Sequence, residues 1–255
     1  MCAAAPDHAC DNEAKLKGAK GEVAIPAKSG DDSALPGAES YLEAIYVLTT
    51  ENRQVQAARI AEYLAVSAVS VSRALTRLEK IGDLAGRAPE VRLSAQGWAR
   101  AEAVVRRHRL AERWLADSLG LSLVEAHREA ERLEHALSAR VEKALWEDLG
   151  RPTTCPHGNP IPGLAGAEPP LMSVVPLDRA AVGGYVVERI YEQLEGLEER
   201  LQWIEDAGLV PGAVFSVRVA ADGTLGKPIV DVAGRGSVTV PGDVARQLMV
   251  RPAVP

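Results

Sequence analysis

The sequence predicts a mainly α chain with a small β domain at its C-terminal end. Three patterns predict it. Two short helical segments, a tight turn and a hairpin follow one another over residues 57–93. Two long stretches of helical periodicity follow, over 95–119 and 122–149. Beyond a Pro/Gly-rich stretch, five short Val-rich segments are split by Gly, Asp and Pro. Aromatic residues make up 4% of the chain, with Phe215 the single Phe, so Ala, Leu and Val must supply most of the packing.

Taken in order, residues 1–37 lack periodicity and are expected to form a disordered tail. Cys2, His8 and Cys10 fall within it, but no second ligand pair completes a zinc-type pattern. Residues 38–102 read as a DNA-binding domain. Leu42, Ile45, Tyr46 and Leu48 recur at helical spacing, a short helix spans Ala57–Leu64, and Ala65-Val66-Ser67 breaks it. Ser67 suits the N-cap of a second helix running to about Ile81. Leu84–Gly86 and Val91–Leu93 then pair as a wing, completing a winged helix-turn-helix. A helical domain is expected over 103–152, a linker over 153–172, and over 173–255 a small β-barrel whose strands one helical pattern, about Leu194 to Ala207, interrupts.

The second helix of the motif buries Val71, Leu75 and Leu78 and leaves Ser67, Val69, Ser70, Ser72, Arg73 and Arg77 on its other side. Hydroxyls and an Arg at that end suit phosphates and base edges. Arg59, and Arg87 and Arg92 of the hairpin, can reach the DNA backbone. A helical domain with a merely solvated face fits the same pattern. The net charge of −6 looks wrong for a DNA binder, but its distribution answers this. Residues 36–110 hold eleven Arg/Lys against eight Asp/Glu, and residues 111–150 hold five against nine. A basic first part can meet phosphates, and an acidic second part can hold cations.

In that acidic part, His127, Glu131, Glu134 and His135 stand at i, i+4, i+7 and i+8, one stripe of a continuous helix. Leu133, Leu137 and Val141 form a neighbouring stripe able to pack or dimerise, and one helix earlier His108 and Glu112 repeat the i, i+4 spacing. Imidazole and carboxylate together suit borderline-to-hard divalent ions. The alternative is a solvated acidic helix with Arg128 and Arg132 forming ion pairs along it. No catalytic motif is present: there is no HExxH, and Gly223–Lys227 (GTLGK) lacks the spacing of a phosphate loop. An enzyme is not expected. No apolar run could span a bilayer and no signal peptide is evident, so a cytoplasmic protein without membrane contact is expected. Three cysteines, Cys2, Cys10 and Cys155, make no disulfide framework.

From about Glu39 onward the chain resembles the diphtheria toxin repressor family of iron- and manganese-dependent transcriptional regulators. The strings that carry the likeness are ESYLEAIYVL, ARIAEYLAVSAVSVSRALTRLEKIG, RRHRLAERWLADSLGL, HREAERLEHALSARVE and GNPIPG. The resemblance implies a homodimer that binds a palindromic double-stranded operator when metal is bound, a helical dimerisation and metal-binding domain, and a C-terminal SH3-like domain. It implies about two metal sites per subunit. One takes His108, Glu112 and His127, with further oxygen ligands from among Glu195, Glu198 and Glu199. The second takes Glu131, Glu134 and His135, with a ligand from the first helix at Ser40 or, one turn on, Glu43. Where the family's iron sensors place Cys, this chain has Glu131, as its manganese sensors do. Mn2+ is therefore expected over Fe2+, because losing a thiolate moves the site toward hard ions. The resemblance treats the loop holding Cys155 and His157 as a structural connector.

Overall fold

The computed structural model describes residues 37–51, 53–163, 174–219 and 227–253. The expected tail, most of the GTLGK segment and the end of the linker lie outside them.

The N-terminal head is built from α1 (Ala38–Thr50), α2 (Ala57–Tyr63), α3 (Ala68–Lys80) and a hairpin of β1 (Leu84–Gly86) and β2 (Arg92–Leu93). Ser67 caps α3 as its sequence position predicts, its side chain accepting a hydrogen bond from the Ser70 N–H. One apolar cluster joins Leu42, Ile45 and Leu48 of α1 to Ile60 of α2 and to Val71, Leu75 and Leu78 of α3. The turn between α2 and α3 has Ala65 at φ 52°, a left-handed conformation taken here without glycine.

From the wing the chain enters α4 (Ala95–Leu119), whose N-terminus Ser94 caps and whose C-terminus stops at Gly120 in the left-handed region. This helix runs from the head into the middle of the molecule, packing against α1 and against α5 (Leu123–Leu133). A capping box of Ser122 and Glu125 starts α5. The single helix expected over 122–149 is in fact two: the chain turns at Glu134–Ala136 and resumes as α6 (Ala139–Asp148), which Ser138 caps. The break has a physical cause. Arg107 Nε donates to the Glu134 carbonyl at 2.7 Å, and Ser138 offers the next helix its first acceptor. Leu133 and Leu137 pack on a small cluster of Ala111, Leu115, Ala126 and Ala130, whereas Val141 stays exposed.

The C-terminal region is a six-stranded antiparallel sheet in the order β3-β8-β4-β5-β6-β7. The strands are β3 (Val175–Pro176), β4 (Gly183–Ile190), β5 (Val214–Val219), β6 (Ile229–Val232), β7 (Gly236–Thr239) and β8 (Leu248–Pro252). Five were expected. The sixth, β8, sits inside the sheet between β3 and β4, and its short run LMVRP carries too little alternation to mark it in sequence. The helical pattern around Leu194 divides into α7 (Glu192–Glu195) and α8 (Glu198–Ala207), and a short α9 (Gly242–Ala245) precedes β8. The split matters, because Glu195 at the end of α7 is buried, whereas Glu198 and Glu199 at the start of α8 are exposed.

Candidate metal centre

Four side chains from three elements converge beside α4. His108 and Glu112 lie one turn apart on α4, His127 comes from α5, and Glu195 closes the group from α7. His108 Nε2 is 3.0 Å from Glu112 Oε1 and 3.2 Å from His127 Nδ1. His127 Nδ1 is in turn 2.9 Å from Glu112 Oε1 and 3.5 Å from Glu195 Oε2. The side chains of Glu112 and Glu195 are both 0% exposed. Carboxylates that deep in the protein carry a large desolvation cost unless a positive charge meets them. Glu112 Oε2 and Glu195 Oε2 are buried and make no hydrogen bond.

The loop between α6 and the sheet supplies further donors. Cys155, His157 and Asn159 are all buried. Gly158, at φ +85°, brings this loop so close to β4 that a Cβ there would stand 2.2 Å from the Glu188 carbonyl. His157 Nδ1 lies 3.2 Å from Glu112 Oε2 and 3.7 Å from Glu195 Oε2 without the alignment of a hydrogen bond, and its Nε2 has no partner. Glu112, Cys155 and His157 thus form a second donor set that shares Glu112 with the first. The fold thus brings donor atoms together in a loop that the resemblance treats as a connector. A Cys-x-His pair two residues apart was the available signal, and what it lacked was the buried carboxylate that the fold brings from α4.

A third set forms on the other edge of the same imidazole. His108 Nδ1 is 2.6 Å from Glu134 Oε2 and 4.0 Å from Glu43 Oε1 of α1. The helix break at Glu134 turns that side chain inward, to 2% exposure. The other expected members of this site are not gathered. Glu131 has a side chain 62% exposed, with its carboxylate 3.9 Å from His127 Nε2. His135 is 44% exposed, pairs with Glu39 at 2.8 Å, and stands 3.3 Å from the outer oxygen of Glu134. The four-residue stripe expected of a continuous helix fails here because the helix ends before its last two members. Ser40 is outside the cluster, and Glu198 and Glu199 lie exposed at the start of α8, leaving Glu195 as the ligand candidate from this region.

Electrostatics follow from this crowding. Burial, then repulsion from Glu134, raises the Glu43 carboxyl well above the ordinary range. Burial, then Glu112, does the same to Glu195. Burial would lower His108, but Glu112 and Glu134 beside it hold it well above its usual value. Burial also opposes ionisation of Glu112, but His157 and His108 outweigh it and keep that carboxyl well below its usual value. Burial, then Glu112, pushes the Cys155 thiol up. An arrangement of imidazoles and buried carboxylates that holds extra protons is one that a divalent cation fits by replacing them.

On the head, α3 presents Val69, Ser72, Arg73 and Arg77 to solvent, with Ser67 beside them and Ser70 half-buried. Ser67 and Ser70 bond each other through their hydroxyls at 2.9 Å. Two of the expected backbone contacts are engaged elsewhere. Arg59 pairs with Glu62 at 2.8 Å, and Arg87 reaches Thr76 at 3.2 Å and Glu79 at 3.4 Å, bracing the wing against α3. Arg73, Arg77 and Arg92 are in no ion pair among the described residues.

Comparison with known proteins agrees with this architecture. Residues 35–85 match the iron dependent repressor N-terminal DNA binding domain, and residues 94–163 match the iron dependent repressor metal binding and dimerisation domain. The chain is 39% identical over 222 residues to the iron-dependent repressor IdeR of Mycobacterium tuberculosis, covering 83% of this chain and 95% of that one. It is 46% identical over 129 residues to the diphtheria toxin repressor of Corynebacterium efficiens, covering 50% of this chain and 56% of the other. Among solved structures, a manganese-dependent transcriptional repressor in complex with manganese superposes with a TM-score of 0.73 at 30% identity, covering 85% of this chain and all of that one. The fold, the two matched domains and the length of the likeness together place this chain in the diphtheria toxin repressor family, as a metal-dependent, DNA-binding transcriptional repressor rather than an enzyme.

Proposed function

We propose that this protein is a manganese-responsive repressor that binds a palindromic operator as a homodimer and controls genes of metal homeostasis. One observation carries the reading: His108 presents one edge of its ring to the buried carboxylates Glu112 and Glu195 and the other to buried Glu134 and partly buried Glu43, a residue of the DNA-reading head. On its Nε2 edge stand Glu112, His127 and Glu195; on its Nδ1 edge stand Glu134 and, from α1, Glu43. About two cation sites per subunit follow. His108, Glu112, His127 and Glu195 would hold the first. Glu43 and Glu134 would hold the second, joined by His135 and Glu131 through side-chain rotation at the exposed rim.

A bound cation supplies the positive charge that these carboxylates lack. The protein's own part is positional. Glu43 and Glu134 repel each other across the head boundary, so their approach is unfavourable until they are neutralised together. Neutralised, they hold α1 against α4, and α1 is packed in one core with α3. The two α3 helices of a dimer then keep the spacing of successive major grooves, about 34 Å. Carboxylate oxygens dominate the donors, which suits manganese as a hard ion. The Cys155 thiol beside Glu112 and His157 is the observation that favours a softer ion, and iron(II) is the second reading.

The test is fluorescence anisotropy on a DNA duplex selected from a random library with the manganese-loaded protein. MnCl2 is expected to tighten binding, chelation to abolish it, and Fe(II) under anaerobic conditions to act at higher concentration. Tight, sequence-specific binding that chelation leaves unchanged overturns the reading, and stronger activation by Fe(II) exchanges manganese for iron.

A further inference from the structure

Glu51 ends α1 and is 5% exposed, although it belongs to no donor set of the metal centre. Its Oε1 accepts from the backbone N–H of Glu192 at 2.7 Å, and its Oε2 accepts from Gln193 Nε2 at 2.7 Å. Both partners lie in α7, the four-residue helix whose last residue is the ligand candidate Glu195. The same helix is held from two other sides. Glu192 accepts from Arg109 Nε of α4 at 2.8 Å, and Arg109 also reaches the Pro160 carbonyl. Asn159 Nδ2 donates to the Ile190 carbonyl and to Glu195 Oε1, each at 2.7 Å. A single turn of helix has little stability of its own, so its position is set by these contacts.

The head therefore meets the metal-binding region at two points of one helix. Glu43 faces His108, and Glu51, eight residues on, holds α7. On a helix that separation is about 12 Å, enough to fix direction as well as position. We propose that Glu51 is a positioning residue that couples the ligand-bearing α7 to the DNA-reading head, so that the placement of Glu195 at the centre sets the orientation of α1. The inference deepens the regulatory reading above and rests on it. With Glu195 drawn to a neutralised centre, the Glu192 N–H and the Gln193 amide stand fixed, and Glu51 anchors the end of α1 to them. Without a cation, the buried Oε2 atoms of Glu112 and Glu195 have no hydrogen-bond partner, so α7 is held less firmly at its Glu195 end and anchors Glu51 less firmly.

The test uses the full chain with MnCl2 as the metal, in wild type, Glu51→Ala and Glu51→Gln. Manganese affinity is read from the electron paramagnetic resonance of the free ion, operator affinity by anisotropy on the selected duplex, and local order by amide hydrogen exchange over residues 38–51 and 190–196. Glu51→Ala is expected to bind manganese within about twofold of wild type, while the manganese-driven gain in operator affinity falls at least about fivefold, the low end of ordinary coupling between sites. Manganese is expected to slow exchange over 38–51 in wild type but not in this variant. Glu51→Gln, which still accepts from the Glu192 N–H, retains most of the gain. A full gain together with slowed exchange in Glu51→Ala overturns the proposal. If wild type shows no manganese-driven gain, the manganese reading itself fails; slowed α1 exchange that still requires Glu51 would nonetheless support the coupling. Should circular dichroism show Glu51→Ala to be unfolded, Gln193→Ala decides: a gain reduced at least about twofold supports the coupling, and a wild-type gain overturns it.

Discussion

The two ends of the acidic stretch that runs through α5 and past its end carry the same residue types and behave differently. At one end, His127 meets Glu112 and Glu195, whose side chains are fully buried. At the other, Glu131 and His135 are 62% and 44% exposed, and His135 is paired with Glu39. Solvated carboxylates cost little to leave without a cation, because water already stabilises their charge. Buried ones do not have that option, so the protein's free energy changes when a cation arrives. Ligand chemistry is thus necessary for a switch, and desolvation is what gives it force.

The sharpest break of this comparison removes one carboxylate from each end. Glu112→Ala should lower manganese affinity by more than about a hundredfold, because loss of an outer-shell partner alone costs ten- to a hundredfold and Glu112 belongs to two donor sets. Glu131→Ala should cost no more than about tenfold, because Glu131 joins the second site only from the solvated rim. Calorimetric titration of both variants with MnCl2 checks this, and equal losses would mean that the rim closes over the ion as tightly as the buried centre does.

Next in size is a pH effect at Glu51, a buried carboxylate outside the donor sets. Burial, then repulsion from Glu192, raises its pKa from 4.5 to about 7. An acid raised on folding adds stability that is complete below its unfolded pKa and is lost as pH climbs through the folded one. Between pH 4.5 and about 7 the metal-free protein should therefore lose up to about 3 kcal/mol from this group. Thermal unfolding across that window should show a steeper decline in wild type than in Glu51→Gln, and matching slopes would place the ionised carboxylate at ease.

A third test contrasts two arginines of the head. Arg73 is exposed and in no ion pair among the described residues, whereas Arg87 is tied to Thr76 and Glu79. Arg73→Ala should cost about 1–3 kcal/mol in operator binding. Arg87→Ala should act mainly through the wing's stability, which separates in a comparison of anisotropy with thermal unfolding. The smallest effect is local: Ala65→Gly relieves a left-handed alanine at φ 52° and should raise stability by no more than about 1 kcal/mol, read as a small rise in Tm.

Much of the fold was legible because it is written in local periodicity. The face of Val71, Leu75 and Leu78, the cap Ser67, and the i, i+4 pair His108/Glu112 each follow from local spacing along one helix. Three features were not. The stop at Glu134 depends on Arg107 reaching its carbonyl from another helix, and β8 takes its place inside the sheet from partners about sixty and seventy residues away. The inward turn of His157 likewise depends on Glu112, forty-five positions earlier.

By itself the sequence determined where the chain is helical in outline, the exposed face of α3 and the donor types His and Glu, because each depends on neighbours a few residues apart. Only the tertiary structure decided which donors meet. It drew in Glu195 and His157, left Glu198, Glu199 and Ser40 aside, turned Glu134 inward and Glu131 out, and set Glu51 against α7. The reason is that coordination and burial are properties of distance in space, and helices brought together by apolar packing set those distances with no trace in local spacing.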